Sequence, residues 1–139
     1  MTQHDPALLE RARRVRLLVL DVDGVLTDGR LHLTAHGEET KVFHVRDGSG
    51  LVAVQRAGIA VAIISGRDSP AVTRRAAELG IRHVRQGIAD KRAVLDELLR
   101  ELQVAADALA LPIASTQMHA QIALTVMMRR FRILNSPHS

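Results

Sequence analysis

Two short stretches of the chain are almost continuously apolar, which is the pattern of strands buried on both faces of a parallel sheet. They are residues 16–20 and residues 59–64. The first stops at Asp21 and the second at Ser65-Gly66-Arg67, so polar groups follow directly where each predicted strand ends. Residues 81–84 predict a third, shorter strand.

Helical patterns alternate with these strands. In the last of them, Ala93, Val94, Leu98 and Leu102 recur at helical spacing. Asp5-Pro6 is a typical helix start, and Gly58 and Gly80 are typical residues after a helix end. Residues 30–34 and 39–45 predict a hairpin. The helices are predicted at residues 6–13, 50–57, 70–79 and 89–102.

The order strand, hairpin, helix, strand, helix, strand, helix predicts an α/β fold with a doubly wound parallel sheet. The hairpin is an insertion after the first strand. We expect one domain over residues 1–105 and an atypical tail over residues 106–139. Ligands of such sheets bind outside the carboxyl ends of the strands, and Asp21, Ser65 and Lys91 all fall at that edge.

Composition narrows the possible functions. The 139 residues are 47% hydrophobic, which suits one soluble domain. The chain has no Cys, which excludes disulfides and thiolate chemistry, and only two aromatic residues, which counts against nucleic-acid binding by base stacking. No apolar run reaches membrane-spanning length and the N-terminus is not a secretion signal, so we expect a cytoplasmic protein without membrane contact.

The net charge is +4, with basic clusters at residues 11–14 and 128–132. Such clusters ordinarily form solvated helix faces. Alternatively, their positive charge creates an electrostatic field that attracts an anionic substrate. Of the 19 cationic residues, only Lys41 and Lys91 are lysine.

Asp21 and Asp23 follow a buried strand one residue apart, and Gly24 permits a turn that points both at one site. Two carboxylates repel by about 4 kcal/mol at ~4 Å and an effective dielectric of ~20. A shared proton or a divalent cation must offset that, and oxygen-only ligands favour Mg²⁺. One carboxylate could act as a nucleophile and the other as a general acid/base. The alternative is an ordinary turn rich in Asp and Gly.

Ser65-Gly66-Arg67 supplies a hydroxyl and backbone N–H groups suited to a phosphate oxygen, although Ser65 or Asp68 could instead cap a helix. Lys91 begins a helix, where a cation opposes the helix dipole. That mismatch favours a role as counter-charge for phosphate over a plain surface lysine.

The segment Phe43-His44-Val45-Arg46-Asp47-Gly48 holds a further candidate site. Arg46 could form a bidentate pair with a carboxylate. The alternative is a turn between hairpin and helix, capped by Asp47 or Ser49.

These motifs in their order resemble the haloacid-dehalogenase superfamily and, within it, the small capless phosphatases of 3-deoxy-D-manno-octulosonate 8-phosphate. The resemblance covers residues 15–105 and rests on Asp-Val-Asp-Gly-Val-Leu-Thr-Asp-Gly, Gly-Glu-Glu-Thr-Lys-Val-Phe-His-Val-Arg-Asp-Gly, Ile-Ile-Ser-Gly-Arg and Gly-Ile-Ala-Asp-Lys. It implies that Asp21 is the nucleophile and a Mg²⁺ ligand. Asp23 would be the general acid/base, with its main-chain carbonyl on the metal.

The resemblance also assigns the remaining site. Ser65 would hold the transferring phosphoryl group, and Lys91 would neutralise Asp21 and a phosphoryl oxygen. Val52 stands where some members carry Arg, so one contact to the sugar acid would be lost. The family forms tetramers in which hairpins pack together, which implies a homotetramer with residues 30–45 as its surface. The sugar acid would be contacted by Asp23, His44, Val45, Arg46, Asp47, Gly48, Arg67, Arg75 and Lys91.

The chain departs from the family after the last predicted helix. A Gly-Asp-Asp motif that completes the Mg²⁺ shell is expected near residues 110–118, yet no Asp or Glu follows Asp107. The further strands of the family are expected to be missing as well. Three explanations stay open. The first is a frameshift near residue 110, which reading the coding DNA in all three frames would reveal. The second is a short variant with poor turnover, and the third is a non-catalytic subunit in which residues 113–131 bind a partner or, alternatively, cover the sheet edge.

Overall fold

The computed structural model describes residues 6–111, and these residues form the predicted α/β domain. The helices are α1 (Pro6–Arg14), α2 (Val45–Arg56), α3 (Pro70–Glu78) and α4 (Lys91–Glu101), followed by a 3-10 turn at Ala106–Ala108. The strands are β1 (Leu17–Leu20), β2 (His32–Leu33), β3 (Glu39–Thr40), β4 (Ala60–Ile64), β5 (His83–Arg85) and β6 (Leu109–Ala110).

The main sheet has four parallel strands in the order β5-β4-β1-β6. Leu20 lies opposite Ile63, so β1 and β4 end at the same edge of the sheet. The predicted doubly wound fold is thereby confirmed.

The main sheet continues past residue 105. β6 pairs with β1 in parallel, with Leu17 opposite Leu109. The further strands that were expected to be missing would follow the fourth motif, and they lie outside the described residues. The boundary between residues 1–105 and 106–139 stays a prediction. The segments expected to carry the fourth motif and a partner-seeking helix lie outside the described residues from position 112 onward.

The core explains why β1 is apolar throughout. Leu18 and Leu20 face the side covered by α2 and α3, whereas Leu17 and Val19 face the side covered by α4, where Leu98 is fully buried. Each buried Leu contributes on the order of 2 kcal/mol by removal from water. Within residues 6–111, no helix has both the length and the apolar character needed to cross a bilayer.

The start of α2 differs from the prediction. The sequence predicts a turn at residues 44–48 and a helix from residue 50, but α2 already begins at Val45. His44 is its N-cap and accepts a hydrogen bond from the Arg46 N–H through Nδ1 at 3.0 Å, so neither Asp47 nor Ser49 is the cap. At the other end, Gly58 has a φ of 86° and lets the chain turn directly into β4.

The hairpin forms as predicted but is short. β2 and β3 pair antiparallel over two residues each, with His32 opposite Thr40 and Leu33 opposite Glu39. Because α2 starts at Val45, the second arm cannot extend to that residue as the sequence predicts. α1 begins at Pro6, and its proposed cap Asp5 lies outside the described residues.

Candidate active site

The loop after β1 is held in a tight turn. The N–H groups of Val25, Leu26 and Thr27 all point to the carbonyl oxygen of Val22 at 2.9–3.1 Å. The buried Thr27 hydroxyl accepts hydrogen bonds from two backbone N–H groups of the same loop, at 3.4 and 3.2 Å. Gly24 has a φ of 81°, a conformation that other residues rarely adopt. This turn brings both Asp21 and Asp23 to the carboxyl edge of the sheet.

Asp21 and Lys91 are paired across the sheet edge. Lys91 Nζ donates to Asp21 Oδ2 at 2.9 Å, and Asp21 Oδ1 accepts from the N–H of Val22 at 2.7 Å. Lys91 is the first residue of α4, which begins two residues after the predicted start at residue 89, and Asp90 caps the helix. A Cβ at Gly66 would lie 3.8 Å from Lys91 Cε, so the lysine side chain passes beside the loop after β4.

Ser65 lies in that loop and is buried, with 2% of its surface exposed. Its N–H donates to the carbonyl of Arg85, and its carbonyl accepts from the N–H of Ile88 at 3.0 Å. Its hydroxyl accepts from the Arg67 N–H at 3.4 Å. The alternative role of Ser65 or Asp68 as a helix cap is wrong, because Ser69 occupies the N-cap position of α3.

Asp23 belongs to a compact cluster of charges. Lys41 Nζ donates to Asp23 Oδ1 at 2.7 Å and to Glu39 Oε1 at 2.8 Å, and the Lys41 side chain is only 4% exposed. Arg67 hydrogen-bonds Glu39, and its Nη1 lies 3.8 Å from Asp23 Oδ2. The hairpin is therefore joined by ion pairs to the loops after β1 and β4.

Proton affinities in the cluster follow from these contacts. Burial lowers the pKa of Lys41, but hydrogen bonds to Asp23 and Glu39 outweigh burial and raise that pKa above its ordinary value of 10.5. The hydrogen bond from Lys41 is the main cause that holds the pKa of Glu39 below its ordinary value of 4.5. Both groups are therefore charged at neutral pH.

Four of the nine predicted sugar-acid residues lie around a small, mostly apolar cavity between α2 and α3. His44, Asp47, Gly48 and Arg75 line this cavity together with core side chains that include Leu26 of the aspartate loop, and its volume of about 10 Å³ leaves room for no more than one water molecule. Arg75 packs directly on Gly48, where an added Cβ would lie 2.4 Å from its Nη2 atom. The structure brings these four residues together.

Two other residues of that segment point outward. Val45 is 76% exposed and Arg46 is also exposed. The bidentate carboxylate pair that the sequence suggests for Arg46 is not formed within residues 6–111. Neither residue lines the cavity between α2 and α3.

Glu39 and Lys41 are absent from the candidates that sequence reasoning identifies. Lys41 binds Asp23 and Glu39 binds Arg67, so their contacts to the two functional loops are distant in sequence and are not revealed by spacing. Both residues nevertheless lie inside the second motif on which the resemblance rests. A compositional signal was nevertheless present. The chain has only two lysines among 19 cationic residues, and each binds one aspartate of the loop.

The oxygen donors suit Mg²⁺ in kind. The Asp23 carboxylate faces Lys41 and Arg67, and the Asp21 carboxylate accepts hydrogen bonds from Lys91 and from the Val22 N–H. A cation would therefore share Asp21 with these donors and use the main-chain carbonyl of Asp23, as the resemblance implies. Mg²⁺ characteristically keeps several waters and uses one or two carboxylates. Among residues 6–111, no three metal-binding side chains of the His, Cys, Asp or Glu type come together. What fits Mg²⁺ here is the chemistry of the oxygen donors, not their number.

Fold and site together define a class: an open α/β domain with an aspartate pair after its first strand, a serine loop after the neighbouring strand and a lysine at the same edge. No protein-family model matches the chain. A 3-deoxy-D-manno-octulosonate 8-phosphate phosphatase, KdsC, of Salmonella typhimurium is 44% identical over 105 residues, covering 76% of this chain and 56% of that protein. The chain thus spans about half the length of the curated relatives it matches.

Two solved structures are also similar. One is a 3-deoxy-D-manno-octulosonate 8-phosphate phosphatase from Moraxella catarrhalis in complex with magnesium, phosphate and KDO, the sugar acid without its phosphate. It is 42% identical with a TM-score of 0.74, and the match covers 78% of this chain and 62% of that one. A probable YrbI-family phosphatase from Pseudomonas syringae is 30% identical with a TM-score of 0.83, covering 96% of this chain and 100% of that one. The chain belongs to the haloacid-dehalogenase superfamily and, within it, to the KdsC-like phosphatases.

Proposed function

We propose that the chain is a Mg²⁺-dependent phosphomonoester hydrolase that acts on 3-deoxy-D-manno-octulosonate 8-phosphate in the synthesis of a lipopolysaccharide precursor. The observation that carries the proposal is the arrangement of Asp21, Asp23 and Lys91 at one sheet edge, with Lys91 Nζ 2.9 Å from Asp21 Oδ2. The similarity to KdsC phosphatases, one of them in complex with magnesium, phosphate and KDO, supports the substrate and the cation.

In this proposal, a carboxylate oxygen of Asp21 attacks phosphorus and forms an aspartyl-phosphate, while the bond from phosphorus to the sugar oxygen breaks. Asp23 donates a proton to the leaving oxygen. Asp23 then takes a proton from the water that hydrolyses the aspartyl-phosphate, which restores Asp21. Lys91 offsets negative charge on Asp21 and on a phosphoryl oxygen, and Ser65 holds the phosphoryl group.

Asp21 and the main-chain carbonyl of Asp23 would hold Mg²⁺, which when bound supplies positive charge next to the transferring phosphoryl oxygens. The sugar acid would contact Asp23, Arg67 and Lys91 at the sheet edge, together with residues of the start of α2 and of α3: His44, Val45, Arg46, Asp47, Gly48 and Arg75. The cavity between α2 and α3 is too small to hold it. The second candidate substrate is another eight- or nine-carbon sugar-acid phosphate, because the cationic groups of Arg67, Arg75 and Lys91 would also bind that substrate.

Hydrolysis of p-nitrophenyl phosphate and of the octulosonate phosphate, with Mg²⁺ and with a chelator, tests the proposal. We expect Mg²⁺-dependent turnover that Asp21→Asn abolishes. Asp28→Asn is the matched control, since Asp28 lies in the same loop, is exposed and binds only Arg30 among the described residues. Turnover that survives Asp21→Asn contradicts the nucleophile assignment.

A catalytically impaired or non-catalytic subunit is the competing proposal. It rests on the expectation of a Gly-Asp-Asp motif near residues 110–118, because those positions carry no Asp or Glu. In that case the unmodified chain binds phosphate or the sugar acid without turnover. Robust turnover by the unmodified chain rejects this proposal.

We also infer that the protein is a cytoplasmic homotetramer whose hairpins pack together. Four large apolar side chains in and beside the hairpin support this, because each is more than half exposed: Leu31, Leu33, Val42 and Val45. Analytical ultracentrifugation tests the assembly, and Leu33→Lys should shift it toward smaller species. A monomeric unmodified chain contradicts the tetramer.

A further inference from the structure

The ammonium group of Lys41 is the most enclosed charge beside the aspartate loop. The Lys41 side chain is 4% exposed, whereas that of Lys91 is 46% exposed. Lysine is rarely buried to this extent unless it is paired. Lys41 is paired on two sides, by Asp23 Oδ1 at 2.7 Å and by Glu39 Oε1 at 2.8 Å.

These contacts distinguish the two oxygens of Asp23. Oδ1 accepts the hydrogen bond from Lys41. Oδ2 lies 3.8 Å from Arg67 Nη1, beyond hydrogen-bond distance, and accepts no hydrogen bond from any residue in the range 6–111. The carboxylate is therefore held by one oxygen and is available through the other.

Glu39 keeps Lys41 in this position. It binds the Lys41 ammonium through Oε1 and Arg67 through Oε2, so it is anchored from two directions. A compact ammonium suits such a position, since its three donors can serve partners on different sides. Lys41 and Lys91 thus each hold one of the two loop aspartates, and no other lysine exists in the sequence.

We propose that Lys41 is a positioning residue, which orients Asp23 so that Oδ2 exchanges the proton with the leaving oxygen and then with water. The inference rests on the proposed phosphatase function. In the first step the bond from phosphorus to the leaving oxygen breaks as the bond to Asp21 forms, and the proton passes from Asp23 Oδ2 to the leaving oxygen. In the second step a water proton returns to Asp23 Oδ2.

The competing explanation is that Lys41 only fastens the hairpin to the domain. Loss of Lys41 would then reduce the fraction of folded protein and lower the rates for all substrates equally. A positioning role predicts an unequal effect, because substrates differ in their need for a proton. An alkyl phosphate releases an alkoxide that must be protonated, whereas p-nitrophenolate leaves with its charge delocalised over the ring.

The experiment compares Lys41→Met with the unmodified protein on the octulosonate phosphate and on p-nitrophenyl phosphate. The ratio kcat/KM is the quantity to compare, because it reports the steps through formation of the aspartyl-phosphate and excludes its hydrolysis. General acid catalysis contributes about 10²–10⁴-fold, so we expect the alkyl ester to lose at least about tenfold more than the aryl ester. Equal losses for both esters overturn the proposal.

Arg30→Met is the matched control. It also removes a cation near the hairpin, but Arg30 is 78% exposed and pairs with Asp28 rather than with Asp23. We expect it to leave the selectivity between the two esters unchanged. A selectivity loss in Arg30→Met equal to that in Lys41→Met assigns the effect to hairpin charge in general and overturns the specific role of Lys41.

A second measurement does not require turnover. Orthovanadate imitates the five-coordinate phosphorus of the transition state, whereas inorganic phosphate imitates the product, and both can be titrated by calorimetry with Mg²⁺ present. Lys41→Met should weaken vanadate binding at least about tenfold more than phosphate binding. If both affinities fall equally while the unmodified protein binds both anions, only the Lys41 proposal fails. If the unmodified protein neither turns over nor binds either anion, the phosphatase function fails and the Lys41 proposal fails with it.

Discussion

Replacing Lys91 by Met should separate catalytic function from folding stability. Lys91 forms an ion pair with Asp21 at 2.9 Å, but the two side chains are 46% and 39% exposed. Exposed ion pairs contribute about 0.2–1 kcal/mol to folding. Lys91 is also the first residue of α4, where removal of a cation from the positive end of the helix dipole gains about 0.3–1 kcal/mol.

These two effects oppose each other, so Lys91→Met should change the free energy of unfolding by less than about 1 kcal/mol in either direction. Methionine also retains an unbranched chain beside Gly66, where the lysine stem passes. Turnover should respond quite differently. Loss of one group that stabilises developing charge typically lowers kcat by about 10²–10³-fold.

Urea denaturation measures the first quantity, and Mg²⁺-dependent hydrolysis of p-nitrophenyl phosphate measures the second. Arg92→Met is a matched control at the next position of α4, because Arg92 is 82% exposed and pairs only with Asp96 at 3.2 Å among the described residues. It should shift stability by a similarly small amount and leave turnover intact. A Lys91→Met protein that loses more than about 2 kcal/mol, or one that retains full turnover, refutes the reasoning.

Two further substitutions probe the surrounding residues. Gly48→Ala places a Cβ 2.4 Å from Arg75 Nη2, which displaces the guanidinium. The gain in helix propensity of about 0.5–1 kcal/mol partly offsets an overpacking cost of about 1–3 kcal/mol, so the free energy of unfolding should change by less than about 2.5 kcal/mol. Calorimetry should show weaker KDO binding, because the Arg75 guanidinium is displaced. Unchanged KDO affinity contradicts a role of Arg75 in binding the sugar acid. Glu39→Gln should be less stable than the unmodified protein at neutral pH, with exposed Glu38→Gln as its control. Because Lys41 lowers the pKa of Glu39 from 4.5, this stabilisation is present above that pH and is lost as the pH falls through the lowered pKa. Urea midpoints that differ equally at neutral and strongly acidic pH contradict that assignment.

The sequence predicts the sheet and its functional edge well because both follow from local patterns. β1 and β4 are buried on both faces, so each is a continuous apolar run, and each run stops at the residue that begins a functional loop. Parallel pairing then brings Asp21 and Ser65 to the same edge without any further information. Lys91 follows from the same logic, since it begins the helix after β5.

The start of α2 could not be predicted in the same way. Two glycines, Gly48 and Gly50, lower the helix propensity of its first turns. His44 is not among the preferred N-cap residues, although its ring nitrogen serves that role here. Packing of Arg75 against Gly48 is a tertiary contact, and it favours a helix where local propensity disfavours one.

Charge around the two loop aspartates leads to a final prediction about the cation. The described cluster contains equal numbers of acidic and cationic side chains: Asp21, Asp23, Glu39, Lys41, Arg67 and Lys91. When Asp23 carries the proton that it donates in the proposed first step, the cluster has one net positive charge. A phosphate monoester with two negative charges would still bring an excess of negative charge, and a divalent cation would bring an excess of positive charge. Each ligand should consequently bind more tightly when the other is present, and the two enhancements must be equal in magnitude.

Calorimetric titration of inorganic phosphate with and without Mg²⁺, and of Mg²⁺ with and without phosphate, measures both enhancements. Phosphate affinity that is the same in the presence and absence of Mg²⁺ would show that the cation is not held beside the phosphoryl site.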